Sequence, residues 1–179
     1  MKTLLETVQG KLDPAQEKRL RLIDEEDFSG VMRKVKEDLE KHGFETTQEW
    51  LDEGVLALKQ YYAVALLDPF NRHAVSDAID PFWHAHILHT KQYAEFCDNV
   101  FHHYVHHIPL DHADTQAVGL MRKLYDYTYQ VYEDMFGYVN PEFFASQLED
   151  ERLVCMHGAD DNAEMRRVTK YPAVPALAA

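Results

Sequence analysis

Apolar residues recur at helical spacing along most of the chain, and nearly every run is bounded by a start or stop signal. Asp13-Pro14 offers an N-cap followed by a proline at the first helical position, and Leu20, Leu22 and Ile23 follow, which predicts a first helix to about Asp24. Ser29 can cap a second helix, in which Val31, Val35 and Leu39 recur every four residues and Gly43 supplies the stop. Thr46 and Glu49 have capping-box spacing, and Leu51, Val55, Leu58, Tyr62 and Ala65 then fall along one face of a third helix that ends near Asp68-Pro69.

Residues 69–80 hold no period and are read as a connecting segment. Pro81 suits the first turn of a helix, and residues 83–104 have helical composition until Ile108-Pro109 ends the stretch. After a polar loop at 111–114, Val118, Met121, Leu124, Tyr125, Thr128, Tyr132 and Met135 mark a long amphipathic helix stopped by Gly137, and a short helical turn is expected at Phe143 and Phe144. No segment alternates convincingly with period two. The fold class expected is mostly α, a compact single-domain bundle of about five or six helices over residues 1–158, with 159–179 a loosely ordered tail.

The 179 residues suffice for one core without disulfides, and Cys97 and Cys155 are too few and too far apart for a disulfide framework. A formal charge of -13 argues against nucleic acid or an anionic membrane as partner, and no apolar run reaches membrane-spanning length. A soluble, cytoplasmic protein is expected.

Charge and pattern leave one stretch unexplained. Of eleven histidines, eight lie between His84 and His112, and imidazole both ligates transition metals and titrates near neutral pH. In a helix Asp80 and His84 share a side, whereas His84 and His86, two residues apart, diverge by about 200°; both can serve one ion only if the helix start is delayed. In the run HHYVHH, His102 with His106 and His103 with His107 form two i, i+4 pairs, and one pair is expected to face inward. The metal-ligand candidates are therefore His84, His86, His107, His103, His106 and Asp80, with Asp80 read as the acceptor that orients a ligating ring. Whether His89, His102 and Cys97 join them stays open. Trp83, Phe82, Tyr93, Phe96 and Phe101 are expected in the core.

Asp80, Trp83, His84, His86-Ile87-Leu88, Tyr93, Cys97, Phe101 and His106-His107 followed by Pro109 resemble the pattern D-x-x-WHxHIL through Y-x-x-x-C to HHxP of the glycine-rich-domain-like family of plant and bacterial proteins. Tyr132 and Phe136-Gly137 resemble that family's downstream Y-x-x-x-FG. The resemblance spans about 74–138 and implies a small α-helical domain with Asp80, His84, His86 and His107 at the family-type positions. The chain departs from it at His102, where the family tends to have glycine, at His89, where it tends to have no histidine, and in lacking a glycine-rich region.

These observations lead to the expectation of a metal-dependent enzyme that holds iron, copper or zinc and acts, with oxidation favoured by the nearby tyrosines, on a small-molecule or peptide substrate. The alternatives are a zinc-dependent hydrolase and a non-catalytic module in which a metal staples helices and the acidic surface meets a protein partner. No phosphate loop, nucleophile elbow or dinucleotide fingerprint occurs.

Overall fold

The helix expected after Thr46 is the packing centre of the molecule. A computed structural model of the chain describes residues 3–159, and in it this helix, α4, runs over Gln48–Leu67. Its N-cap is Thr47, one residue later than expected, with Oγ1 accepting the Trp50 N–H at 3.1 Å. The expected face is buried, and so are Ala57, Tyr61, Ala63 and Val64. Buried positions on more than one face call for covering elements on several sides, while Glu53 stays exposed and Asp52, Leu56 and Gln60 are half-buried. α1 (Leu4–Thr7), α2 (Pro14–Glu25), α3 (Ser29–Lys41), α5 (Asp80–Leu88) and α7 (Thr115–Phe136) all pack against it. The one charged group this burial traps, Lys59, donates to the Asp24 carbonyl at 3.0 Å. The Asp24 carboxylate in turn accepts the Leu4 and Leu5 N–H groups and so docks α1.

Local signals hold at most helix ends. Asp13 caps α2 in a capping box with Gln16. α3 starts at Ser29 itself, whose N–H is met by the Asp27 carboxylate at 2.9 Å, so Ser29 is the first helical residue rather than the cap. Gly43 at φ +83° closes α3, with the Phe44 N–H returning to the Leu39 carbonyl in a Schellman arrangement. α7 ends at Phe136 with Gly137 at φ +67°. The N-terminal stretch, uncommitted by pattern, folds its first turn through a Thr3–Glu6 capping box.

The expectation of an all-helical histidine region is corrected by the structure. The helix breaks at His89 into α5 and α6 (Thr90–Phe101), and His102 at φ +63° terminates α6. The run HHYVHH is therefore not helical, and His106 and His107 lie on strand β2 (Val105–Pro109). β1 (Ala74–Ser76) arises from the presumed connecting segment and β3 (Leu153–Ala159) follows a 3-10 turn at Asp150–Arg152. The three form an antiparallel sheet in the order β1-β3-β2, with His107 opposite His157 and Cys155 opposite both Pro109 and Val75. α7 packs on β1 and β3. The physical reason is that a left-handed residue stops the helix and leaves Tyr104, Val105 and Ile108, which suit a pleated surface, free to pair with β3. Apart from Ala159, which ends β3, the expected tail at 159–179 lies outside the described residues. The described chain is mostly helical, with seven α-helices, and none is long and apolar enough to cross a membrane.

Two sites test this packing. A Cβ at Gly54 would overlap the Phe82 ring, which is fully buried between Trp50 and Phe143, whereas a Cβ at Gly119 in α7 meets nothing within 4 Å. Replacing a helical glycine by alanine gains about 1 kcal/mol of propensity, and overpacking costs about 1–3 kcal/mol. Gly54→Ala is thus expected to lower the urea midpoint and Gly119→Ala to raise it. His102, the one non-glycine at positive φ among the described residues, gives the second test: His102→Gly is expected to stabilise by about 1 kcal/mol in the same measurement.

Candidate metal centre

Alternation along paired strands puts His107 of β2 and Cys155 and His157 of β3 on one face of the sheet. The first turn of α5 lies over that face and lowers Asp80 onto it. Asp80 Oδ1 accepts from His107 Nε2 at 2.8 Å and from the Cys155 thiol at 3.2 Å, and Oδ2 lies 3.2 Å from His84 Nδ1. One donor atom each from Asp80, His107 and Cys155 lie within 4.8 Å of one another. The rings of His84 and His107 are 4.3 Å apart, and Trp83 backs His107 at 4.9 Å. Cys155 is fully buried, the Asp80 and His107 side chains are about one-seventh exposed (15 and 14 %), and His84 at 53 % forms the open side.

Burial pushes the Asp80 carboxyl up. Hydrogen bonds from His107 and Cys155 and the charges of His84 and His107 outweigh that, and its pKa is held below the ordinary aspartate value. Burial, reinforced by the Asp80 charge, drives the Cys155 thiol far above the usual cysteine range. The Cys155 thiol is accordingly the donor to Asp80 Oδ1.

The other expected ligands lie elsewhere. His86, one helical turn short of the break at His89, points away from His84 into a fully buried aromatic pocket of Phe28, Tyr62, Tyr93 and Phe96, with ring centroids 5.0–5.8 Å away. Its Nδ1 meets the Tyr62 hydroxyl at 2.9 Å and its Nε2 faces Glu26 at 3.8 Å, too far for a hydrogen bond. His106 alternates to the opposite sheet face from His107 and packs on Tyr104 at 4.9 Å. His103 is exposed near Phe101. His86, His103 and His106 therefore lie apart from the Asp80, His107 and Cys155 side chains. The i, i+4 pairing that suggested the last two requires a helix, and here the chain is extended. His89 and His102 bond the carbonyls of Ala85 and Asp98, each four residues earlier. Cys97 is buried beside Tyr93. The tyrosines of α7 pack on Phe144 or, in the case of Tyr127, bond Asp68, rather than approaching Asp80.

Cys155 was passed over in the sequence because nothing near it in the chain marks a ligand; the strand pairing alone brings it to Asp80. A second polar group was also missed. Asp68 accepts from Tyr127 at 2.5 Å and from Asn71 at 2.8 Å, with fully buried His73 at 3.2 Å stacked between Tyr127 and His157. Burial raises the Asp68 carboxyl, but these neighbours bring it down to about 2. His157, whose Nδ1 meets the Tyr61 hydroxyl at 3.2 Å, is held well below the usual histidine range by burial and then by the charges of His73 and Arg72.

The fold and the cluster together define a mostly helical protein with an aspartate, a histidine and a cysteine converging beneath a helix N-terminus. The sequence model of the UCP032817-like family matches residues 17–133, well over half of the chain, and the protein belongs to that family. The match includes Asp80, His84 and His107 and stops before β3, so Cys155 lies beyond it. No curated protein and no solved structure matches the chain.

The His86 pocket carries a pH prediction. Burial depresses the His86 pKa more than Glu26 restores it. The unfolded chain, with a histidine pKa near 6.5, therefore binds the proton more readily than the folded one. The contribution of neutral His86 is complete above about pH 6.5 and is lost as pH falls through the folded value. Urea midpoints of metal-free protein are expected to drop from pH 7.5 to 5.5, and His86→Leu is expected to make that drop shallower. An unchanged slope in the variant would show that His86 is not the group responsible.

Proposed function

We propose that Asp80, His107 and Cys155 hold a divalent transition-metal ion and that the protein is a metal-dependent enzyme acting on a small molecule. The observation that carries this reading is the convergence of three different donor types within 4.8 Å. His107 Nε2 and Cys155 Sγ converge on one Asp80 carboxylate oxygen, and a doubly charged cation there is balanced by the carboxylate and by the thiolate left when Cys155 gives up its proton. Thiolate, imidazole and carboxylate together suit zinc, with iron next and copper least. Three protein ligands leave a tetrahedral ion one open position, the arrangement of catalytic rather than structural zinc. Such an ion, when bound, supplies a Lewis acid that polarises a carbonyl or lowers the pKa of a water.

The remaining residues have assignable work. Trp83, fully buried against His107, fixes the ring plane and keeps water from the inner side. His84, exposed and held by Asp80, can take up or deliver a proton at the open side. The α7 tyrosines pack away from Asp80, while Tyr61 lies behind Trp83 with its hydroxyl on the His73 carbonyl; the donor set favours Lewis-acid chemistry. Asp80, His84 and His107 are three of the four positions marked by the glycine-rich-domain-like resemblance, the fourth, His86, lying apart in its aromatic pocket; family membership supplies no reaction.

A second reading is favoured by one observation: the cluster is already hydrogen-bonded, tying α5, β2 and β3 with no ion. Metal titration separates the two. Chelator-treated protein is expected to take up about one zinc or cobalt per chain, and the cobalt form to show a thiolate charge-transfer band that Cys155→Ala removes. His107→Ala and Asp80→Asn are expected to weaken binding by about 100-fold or more, while His86→Leu, His103→Ala and His106→Ala leave it unchanged. Uptake should fall with pH, because thiolate and imidazole must be deprotonated to bind. No uptake, combined with a lower urea midpoint in His107→Ala, would establish the hydrogen-bonded staple instead.

A further inference from the structure

The Tyr93 hydroxyl holds both supports of His107. The helix break at His89 starts α6 with the Tyr93 N–H on the His89 carbonyl at 2.9 Å, and this first turn brings the Tyr93 side chain to Trp83. Tyr93 Oη accepts from Trp83 Nε1 at 3.0 Å and donates to the Val105 carbonyl at 2.6 Å. A phenolic hydroxyl has one proton to give, and here it goes to β2. The rings of His86 and Tyr104 meet the Tyr93 ring edge-on, with centroids 5.0 and 5.3 Å away, and clamp it where it is fully buried. The sheet register shows what the bond to Val105 does. The Leu110 N–H bonds the Val154 carbonyl at 2.8 Å, and bonded residues alternate along an antiparallel pair. His106 and Ile108 therefore bond β3, whereas the backbone groups of Val105 and His107 point away from it. Among the described residues, the Tyr93 hydroxyl is the group that bonds β2 on that outer edge.

We propose that Tyr93 is a positioning residue for the Asp80 cluster, its hydroxyl setting the plane and reach of the His107 ring by tying the indole of Trp83 to strand β2. The consequence for zinc rests on the metal reading above, whereas the ring setting is defined without an ion. His107 delivers Nε2 to Asp80 at 2.8 Å from a side chain two residues beyond Val105 on the same strand face. An indole free to tilt lets the ring turn, and a strand free to rotate about its axis swings the whole side chain. A ligand set tolerates displacements of only about 0.5 Å. Tyr93→Phe keeps the ring and nearly all of its volume but removes both bonds, which leaves the indole N–H and the Val105 carbonyl without that partner. Tyr132 provides the comparison. It is equally buried, its hydroxyl donates to the Ala57 carbonyl at 2.7 Å, and its ring packs on Phe136 and Phe144. Lost stability is common to both substitutions; a change at His107 belongs to one.

The full chain carrying Tyr93→Phe or Tyr132→Phe is compared with the parent, all three in about 1 M sucrose, an excluded osmolyte that keeps a weakened variant folded. In metal-free protein the nuclear magnetic resonance shifts of the His107 ring are expected to move in Tyr93→Phe and to keep parental values in Tyr132→Phe. Zinc affinity is expected to fall about tenfold in Tyr93→Phe. The cobalt form of that variant should show displaced ligand-field bands but retain the thiolate charge-transfer band, because Cys155 is still in place. Tyr132→Phe should keep parental zinc affinity and cobalt spectrum. A parent that takes up no zinc would overturn the metal reading and leave the His107 shifts to decide on Tyr93. The positioning role is overturned by parental His107 shifts in Tyr93→Phe, by parental zinc affinity and cobalt spectrum in that variant when the parent binds zinc, or by equal changes in Tyr132→Phe.

Discussion

The insertion of β3 between β1 and β2 is the constraint on which the site depends. β3 is a late segment, and it must return across the molecule to pair with strands that begin about 80 and 50 residues earlier. That pairing sets His107 opposite His157 and Cys155 opposite Pro109. A slip of one residue would turn Cys155 and His157 to the other face and leave Asp80 with His84 and His107 but without the thiol. The bulge between Val75 and Ser76 accommodates the third strand without disturbing the β2 register.

The sheet is positioned by the helix it never touches through hydrogen bonds of its own ladder. α4 is buried over most of its surface, and Tyr61 on it donates to the His73 carbonyl at 2.8 Å while Trp83 lies tilted against the Tyr61 ring at 5.4 Å. Tyr132 of α7 donates to the Ala57 carbonyl of α4 at 2.7 Å from the other side. Buried tyrosines thus supply both apolar bulk and a directed bond. Burial raises the hydroxyl pKa of Tyr61, Tyr62 and Tyr132 well above the usual range, which keeps these groups neutral donors.

Two carboxylates each gather a group of polar side chains at the sheet. Asp80 gathers His84, His107 and Cys155, and Asp68 gathers His73, Asn71 and Tyr127. His157, opposite His107 and stacked on His73, stands between them along the same sheet face. Asp80 is the more open of the two groups through His84, whereas His73 is sealed from solvent. That difference in access is why the Asp80 group is the one read as a centre for chemistry.

Local pattern determined most of the helices by itself. Asp13-Pro14, the Val31-Val35-Leu39 period, the apolar face of α4 and Gly137 are signals whose physics acts within a few residues, and the structure places helix ends within one or two residues of them. Asp80 and His84 were legible as a pair because one helical turn fixes their relation. His107 was named for a different reason from the one that places it: the expected i, i+4 partner His103 is exposed, and the strand supplies Cys155 instead. What tertiary structure alone decided is the sheet, the separation of His86, His103 and His106 from Asp80, and the approach of Cys155 to it. A two-residue step carries different meanings in a helix and in a strand, and the choice between them at 102–109 was made by a left-handed residue and a partner strand some fifty residues away.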